Sequence, residues 1–139
     1  MTPLDLRAAP PRAPRAAAGG IIFLPRSIDK ARASLPGGNL GEYTIEGITQ
    51  WMLEKLGLEV SAFVAAVAAA RNDDDVVGFV YERTTKATID EWNAFVLQRQ
   101  SRGGNRAEAL LAHPWLHARP DLTLSVDVLE EDDRQSFLL

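Results

Sequence analysis

From Pro25 to Arg102 the apolar residues recur at three- and four-residue spacing, and glycines, prolines and capping residues keep interrupting them. That spacing lines one face of a helix, whereas a half-buried strand needs strict alternation. The interruptions keep each helix short, so the pattern predicts a compact all-α bundle of six or seven short helices. Pro25 suits the first turn of a helix, where its missing N–H costs nothing. On that helix Ile28, Ala31 and Leu35 share one face, while Arg26, Asp29, Lys30 and Ala33 share the opposite, solvent-facing one. Pro36-Gly37-Gly38 ends it.

A second helix is expected from Thr44 to Gly57, on a stripe of Ile45, Ile48, Met52 and Leu56. Residues 60–71 are apolar almost all round and read as the most buried helix. Asp73 or Asp74 can cap a fourth helix carrying Val76, Phe79, Val80 and Arg83. Thr88-Ile89-Asp90-Glu91 is a capping box for a fifth, running to about Arg102 with Ile89, Trp92, Phe95 and Val96 inward. Asn105 with Glu108 opens a short sixth, closed by His113-Pro114. Residues 121–129 fit either a helix capped by Asp121 or an isolated alternating strand; helix is preferred because a lone strand lacks a partner.

With 139 residues the chain fits one domain large enough for its own core. No cysteine is present, which excludes disulfides, thiolate metal sites and a cysteine nucleophile. No apolar run is long enough to span a membrane and no signal peptide is recognised, so a cytoplasmic setting without membrane contact is expected. Charge is unevenly placed. Residues 1–43 carry six Lys/Arg against three Asp/Glu, and residues 44–139 carry nine against sixteen. A basic head on an acidic body argues against nucleic acid, which requires a broad basic face. It favours a local anion site, or docking of the head on its own body.

Four of the eight prolines fall in residues 1–18, with Arg7, Arg12 and Arg15 among them. Residues 1–24 therefore read as an extended arm packed on a helical domain of residues 25–139, with Ile21 to Leu24 as its apolar anchor. Pro11-Arg12, Pro14-Arg15, Gly19-Gly20, Leu24-Pro25-Arg26, Ile28-Asp29-Lys30, Arg32-Ala33 and Gly41-Glu42-Tyr43 resemble the bacterial domain-of-unknown-function family 5069, as do Glu91-Trp92-Asn93 and the acidic end from Leu129 to Asp133. The resemblance brings no activity with it; it implies that the Arg/Pro arm is part of the domain.

Candidate chemistry gathers in the same region. Arg32 falls at the margin of the buried face, about 40° from Ile28, and needs a carboxylate there. Glu42, beyond a flexible loop, is the natural partner, as a pinning salt bridge or as a catalytic carboxylate. Arg26 and Lys30 face the same way and repel mildly, offset by Asp29. They fit a solvated face, a network toward the acidic body, or a small-anion site that uses Arg12 or Arg15 as well. The glycine loop from Gly37 to Gly41 lacks the ending of a phosphate loop and reads as a turn presenting Glu42 and Tyr43. His113 and His117 have helical metal spacing, but Pro114 lies between them and no third ligand stands out, so no metal or cofactor is expected. Trp51 and Trp115 read as core or lid residues, and Arg99 as packing on the inner stripe of the fifth helix.

Two functions follow. The first is binding of a small anion or a protein partner through Arg12, Arg15, Arg26, Asp29, Lys30, Arg32, Glu42 and Tyr43. The second is a small cofactor-free enzyme whose pocket lies between the Arg26–Arg32 helix and the Gly41-Glu42-Tyr43 loop. Neither ligand identity nor oligomeric state is legible in the sequence.

Overall fold

The computed structural model describes residues 1–137 and is helical, with one minute two-stranded sheet. Its contacts divide the chain into two compact units, one of Met1–Asn93 and one from Ala94 onward. Helix α5 (Lys86–Gln98) carries the chain from the first to the second. No described helix is long and apolar enough to cross a membrane.

In the first unit a hairpin precedes the helices. Strand β1 (Ala17–Ala18) pairs antiparallel with β2 (Ile21–Ile22), Ala17 opposite Ile22. Gly19 (φ 56°) and Gly20 (φ 76°) make the turn, and both need the left-handed backbone that such a two-residue turn demands. A Cβ on Gly19 would also lie 2.4 Å from a Val77 methyl. The hairpin is stitched to α5. The Asn93 amide accepts from Ile22 N–H (3.0 Å) and donates to the Gly20 carbonyl (2.8 Å), and the Trp92 indole donates to the Ile22 carbonyl (2.8 Å). Ile21 is fully buried, as an anchor should be. Phe23 does not continue the extended stretch expected of residues 20–24. It is left-handed (φ 76°) and turns the chain into α1 (Leu24–Ala33).

Helix α1 is the most enclosed element. Leu24 to Ala31 are all buried, so the charged face expected to meet solvent does not. The reason is non-local: the arm returns over that face, and Pro11 and Pro14 are buried with it. The expectation that residues 60–71 form the most buried helix fails correspondingly. Helix α3 (Val60–Ala69) buries only Phe63 and Val67. Its alanines are good helix formers that tolerate exposure, so mean apolarity overstates burial there. Helix α2 (Ile48–Leu56) starts later than expected and ends on left-handed Gly57. A buried hydrogen bond joins the Ser27 and Thr49 hydroxyls between α1 and α2 (2.9 Å). The Met1 ammonium donates to the carbonyls of Val67, Ala68 and Ala70 at the C-terminal end of α3, where the helix dipole favours a cation.

Helix α4 (Asp73–Tyr81) is capped by Asn72, whose side chain accepts from Asp75 N–H, rather than by an aspartate. Helix α5 opens three residues before the expected box, on Thr85, whose hydroxyl accepts from Thr88 N–H (3.2 Å). Ile89, Trp92 and Val96 are buried, but Phe95 is 49% exposed.

The second unit has a small core of Ala109, Leu116 and Val128, extended by Leu110, Trp115 and Leu122. Asn105 caps α6 (Arg106–Ala112) as expected, accepting from Glu108 N–H (3.2 Å). A single turn of 3-10 helix follows at Pro114–Ala118. Arg106 ties this loop together by donating to the carbonyls of Leu116, Arg119 and Leu122. The C-terminal stretch is helical, but α7 spans Ser125–Phe137 and does not start on Asp121. Leu124 instead bridges to Gln100. Arg99, half-buried, donates to the Ser125 hydroxyl (2.7 Å), and burial lowers its pKa. His113 Nδ1 lies 3.3 Å from Asp132.

Candidate functional site

The arm and α1 build the site. Pro11 and Pro14 fix the backbone around Arg12, whose N–H donates to the Asp29 carboxylate (2.8 Å). The Arg12 side chain holds the same carboxylate through Nε and one terminal nitrogen (3.0 Å), and reaches Asp73 at the start of α4 with its two terminal nitrogens. Such forked, charge-assisted contacts are among the stronger polar interactions available to a protein. They raise the pKa of Arg12, chiefly through Asp73, and its hydrogen bond holds the Asp73 carboxyl below its ordinary value. The Arg12 carbonyl in turn accepts from the Arg26 guanidinium (3.2 Å).

Arg26 and Lys30, one turn apart on α1, are 1% and 7% exposed. The Arg26 guanidinium lies 5.8 Å from the centre of the Phe23 ring and 5.5 Å from that of Tyr43, while Lys30 Nζ lies 5.6 Å from Phe23. Tyr43 comes to α1 because the arm pins its loop. Leu6 N–H donates to the Asn39 carbonyl (2.8 Å), Asn39 N–H to the Leu4 carbonyl (2.9 Å), and the Asn39 side chain accepts from Gly41 N–H (2.8 Å). Gly38 lets the loop leave α1 closely; a Cβ there would sit 2.6 Å from the Ala33 carbonyl oxygen.

Of the residues singled out in the sequence, Arg12, Arg26, Asp29, Lys30 and Tyr43 are thus brought together. Arg15 is exposed on the arm. The expected pair of Arg32 with Glu42 does not form. Arg32 donates instead to the Thr2 carbonyl (2.8 Å) and hydroxyl (2.9 Å), because the first residues of the arm reach it before the loop does. Glu42 is exposed. Two participants went unrecognised as such. Phe23 reads as a plain apolar anchor, although its position three before Arg26 and seven before Lys30 places it beside both. Asp73 reads as a cap, although an aspartate in a first turn, beside Asp74 and Asp75, is an evident target for an arginine.

Among the described residues no group of His, Cys, Asp and Glu is placed to hold a metal ion. The arrangement gathers Arg12, Arg26, Lys30 and Asp29 against the rings of Phe23 and Tyr43.

The family model described as Domain of unknown function (DUF5069) matches residues 8–135. The chain belongs to this family. The DUF5069 match takes in the arm from Ala8 onward, so Arg12, α1 and Tyr43 lie inside the family's domain. No curated protein matches the sequence.

Proposed function

We propose that this DUF5069 protein binds a small oxyanion, a carboxylate or a phosphate group, through Arg26 and Lys30 on α1 beside Tyr43. The observation that supports the reading is the burial of both cations one turn apart, against Phe23 and Tyr43. Two like charges at that spacing repel. The same burial strengthens their attraction for an anion, because the surroundings screen it less than water does. A guanidinium offers a planar fork suited to two oxygens of one carboxylate or phosphate, and the ammonium adds a point charge. Arg15, on the exposed arm, adds attraction at longer range, and Arg32 adds to the positive field without touching the ligand. Glu42 stands outside the site, ready to disfavour a second negative group near the loop.

Calorimetric titration of the purified protein with sodium phosphate and with sodium acetate, at constant ionic strength, tests the reading. Saturable one-to-one binding of at least one of them is expected, weakened about tenfold or more by Lys30→Gln and by Arg26→Lys, which removes the fork. Absence of saturable binding of either anion to the folded protein refutes it, and so does binding that both variants retain unchanged.

A further inference from the structure

We propose that His113 and Asp132 form a pH-sensitive clasp, which holds residues 113–119 against α7 while His113 is protonated and slackens when it is neutral. The clasp lies in the second unit and is independent of the oxyanion reading. His113 ends α6, and the turn of 3-10 helix at Pro114–Ala118 follows it at once. That turn carries Leu116, fully buried with Ala109 and Val128, and Trp115 packs against the same small core. The His113 side chain is 16% exposed, and its Nδ1 lies 3.3 Å from the Asp132 carboxylate on α7. Its ring centre lies 5.5 Å from that of Trp115. Both neighbours attract an imidazolium more strongly than a neutral imidazole, one as an opposite charge and one through its π system.

The other charges around this segment are turned elsewhere. Arg106 of α6 donates to the carbonyls of Leu116, Arg119 and Leu122. Arg119 pairs with Asp121 (3.0 Å) and lies 3.9 Å from Glu131 of α7. Glu131 is held chiefly by its hydrogen bond from Arg134, which keeps its carboxyl down at about 2, so it stays ionised near neutrality. Glu108 on α6 and His117 on the turn are exposed. Among the described residues, Asp132 is the one charged group within ion-pair distance of the imidazole. Asp132 has other interactions too; what changes with pH is the charge that faces it at His113. A histidine changes charge between about pH 5 and 8, where arginines and carboxylates do not ordinarily titrate. The segment therefore has constant tethers at its Arg119 end and a titrating one at its His113 end. Attraction at that end is present while His113 is charged and is lost as pH rises.

The test uses the full chain in four forms: wild type, His113→Gln, Asp132→Asn and His117→Gln, each checked for helicity by circular dichroism. Hydrogen exchange is followed at the Leu116 and Arg119 amides, which donate to the carbonyls of His113 (2.9 Å) and Leu116 (3.0 Å) and so report whether the turn is closed. After correction for the intrinsic effect of pH on exchange, their protection in the wild type should be about two- to fivefold greater at about pH 5.5 than at about pH 7.5. That gain should vanish in His113→Gln and in Asp132→Asn, and persist in His117→Gln, whose side chain is exposed. The Trp115 indole resonance should move over the same pH interval in the wild type and stay still in His113→Gln. If His113→Gln and Asp132→Asn do not fold, the wild type alone decides: the Val67 amide of α3, in the unit without histidine, should show no such gain. Leu116 protection that is constant with pH, that changes equally at Val67, or that still changes in Asp132→Asn overturns the proposal. A gain lost in His117→Gln, or a Trp115 resonance unmoved in the wild type, overturns it as well.

Discussion

Asn93 offers a sharp test of how the fold prepares the start of α1. Its amide bridges the two sides of the hairpin turn, accepting from Ile22 N–H (3.0 Å) and donating to the Gly20 carbonyl (2.8 Å). One group needs an acceptor and the other a donor, so the orientation of the amide is determined. Asn93→Ala removes both bonds. At about 0.5–1.5 kcal/mol net for each, the cost should be about 1–3 kcal/mol, or a fall of about 3–10 °C in melting temperature for a chain of this size. Urea unfolding followed by circular dichroism measures it. Asn93→Asp is the finer variant, because it keeps the acceptor and loses the donor. Ionised, it sets a carboxylate against the Gly20 carbonyl; protonated, its O–H can donate there. Its folded pKa should therefore lie above the ordinary carboxyl value near 4. The recovered stability is then present below that value and lost as pH rises through the folded one. A cost for Asn93→Ala below about 0.5 kcal/mol, or an Asn93→Asp penalty that does not shrink on acidification, would refute the bridging role.

Other expectations follow from particular contacts. Arg32→Ala should cost about 1 kcal/mol or less, and Glu42→Gln should leave the melting temperature unchanged, since Arg32 turns to Thr2 and not to Glu42. Gly78 is exposed within α4, and a Cβ there meets nothing within 4 Å; Gly78→Ala should stabilise by about 0.5–1 kcal/mol in thermal melts. Gly38→Ala should destabilise clearly, because its methyl would meet the Ala33 carbonyl oxygen at 2.6 Å. The Asp73 carboxyl is held below its ordinary value by Arg12, so its contribution is present above pH of about 4 and lost as pH falls through the depressed value. The stability gap between wild type and Arg12→Ala should accordingly narrow on acidification, as read from denaturant midpoints at several pH values.

The helices were legible wherever the signal was local. Pro25 in the first turn of α1, Asn105 capping α6 and Gly57 closing α2 each act within a few residues of themselves. The start of α5 shows how a local signal misleads. Thr88 and Glu91 satisfy the spacing of a capping box, but Thr85 can do the same work one turn earlier, and an earlier cap gains another turn of helix. The environment of α1 was not legible, because it depends on residues distant in sequence. A helical wheel assigns Arg26, Asp29 and Lys30 to solvent, whereas the returning arm brings Arg12 onto Asp29 and Arg26 from far away in sequence. The hairpin could have been read from Gly19-Gly20 between alanines and isoleucines, but its two-residue strands are too short for a period to register. The Arg32 partner was missed for a related reason: the Pro-rich stretch reads as a stiff tail, while Thr2 and Leu4 in fact lie along the end of α1.

The central claim, that Arg26 and Lys30 form an oxyanion site, is tested most directly by following the Arg26 side-chain Nε–H resonance while inorganic phosphate is added at constant ionic strength. A saturable shift of Arg26 is expected, accompanied by Lys30 and the Tyr43 ring, with Arg32 unmoved and the shift abolished in Lys30→Gln. A linear drift shared by all the exposed arginines, with Arg26 no different from Arg32, would contradict the claim.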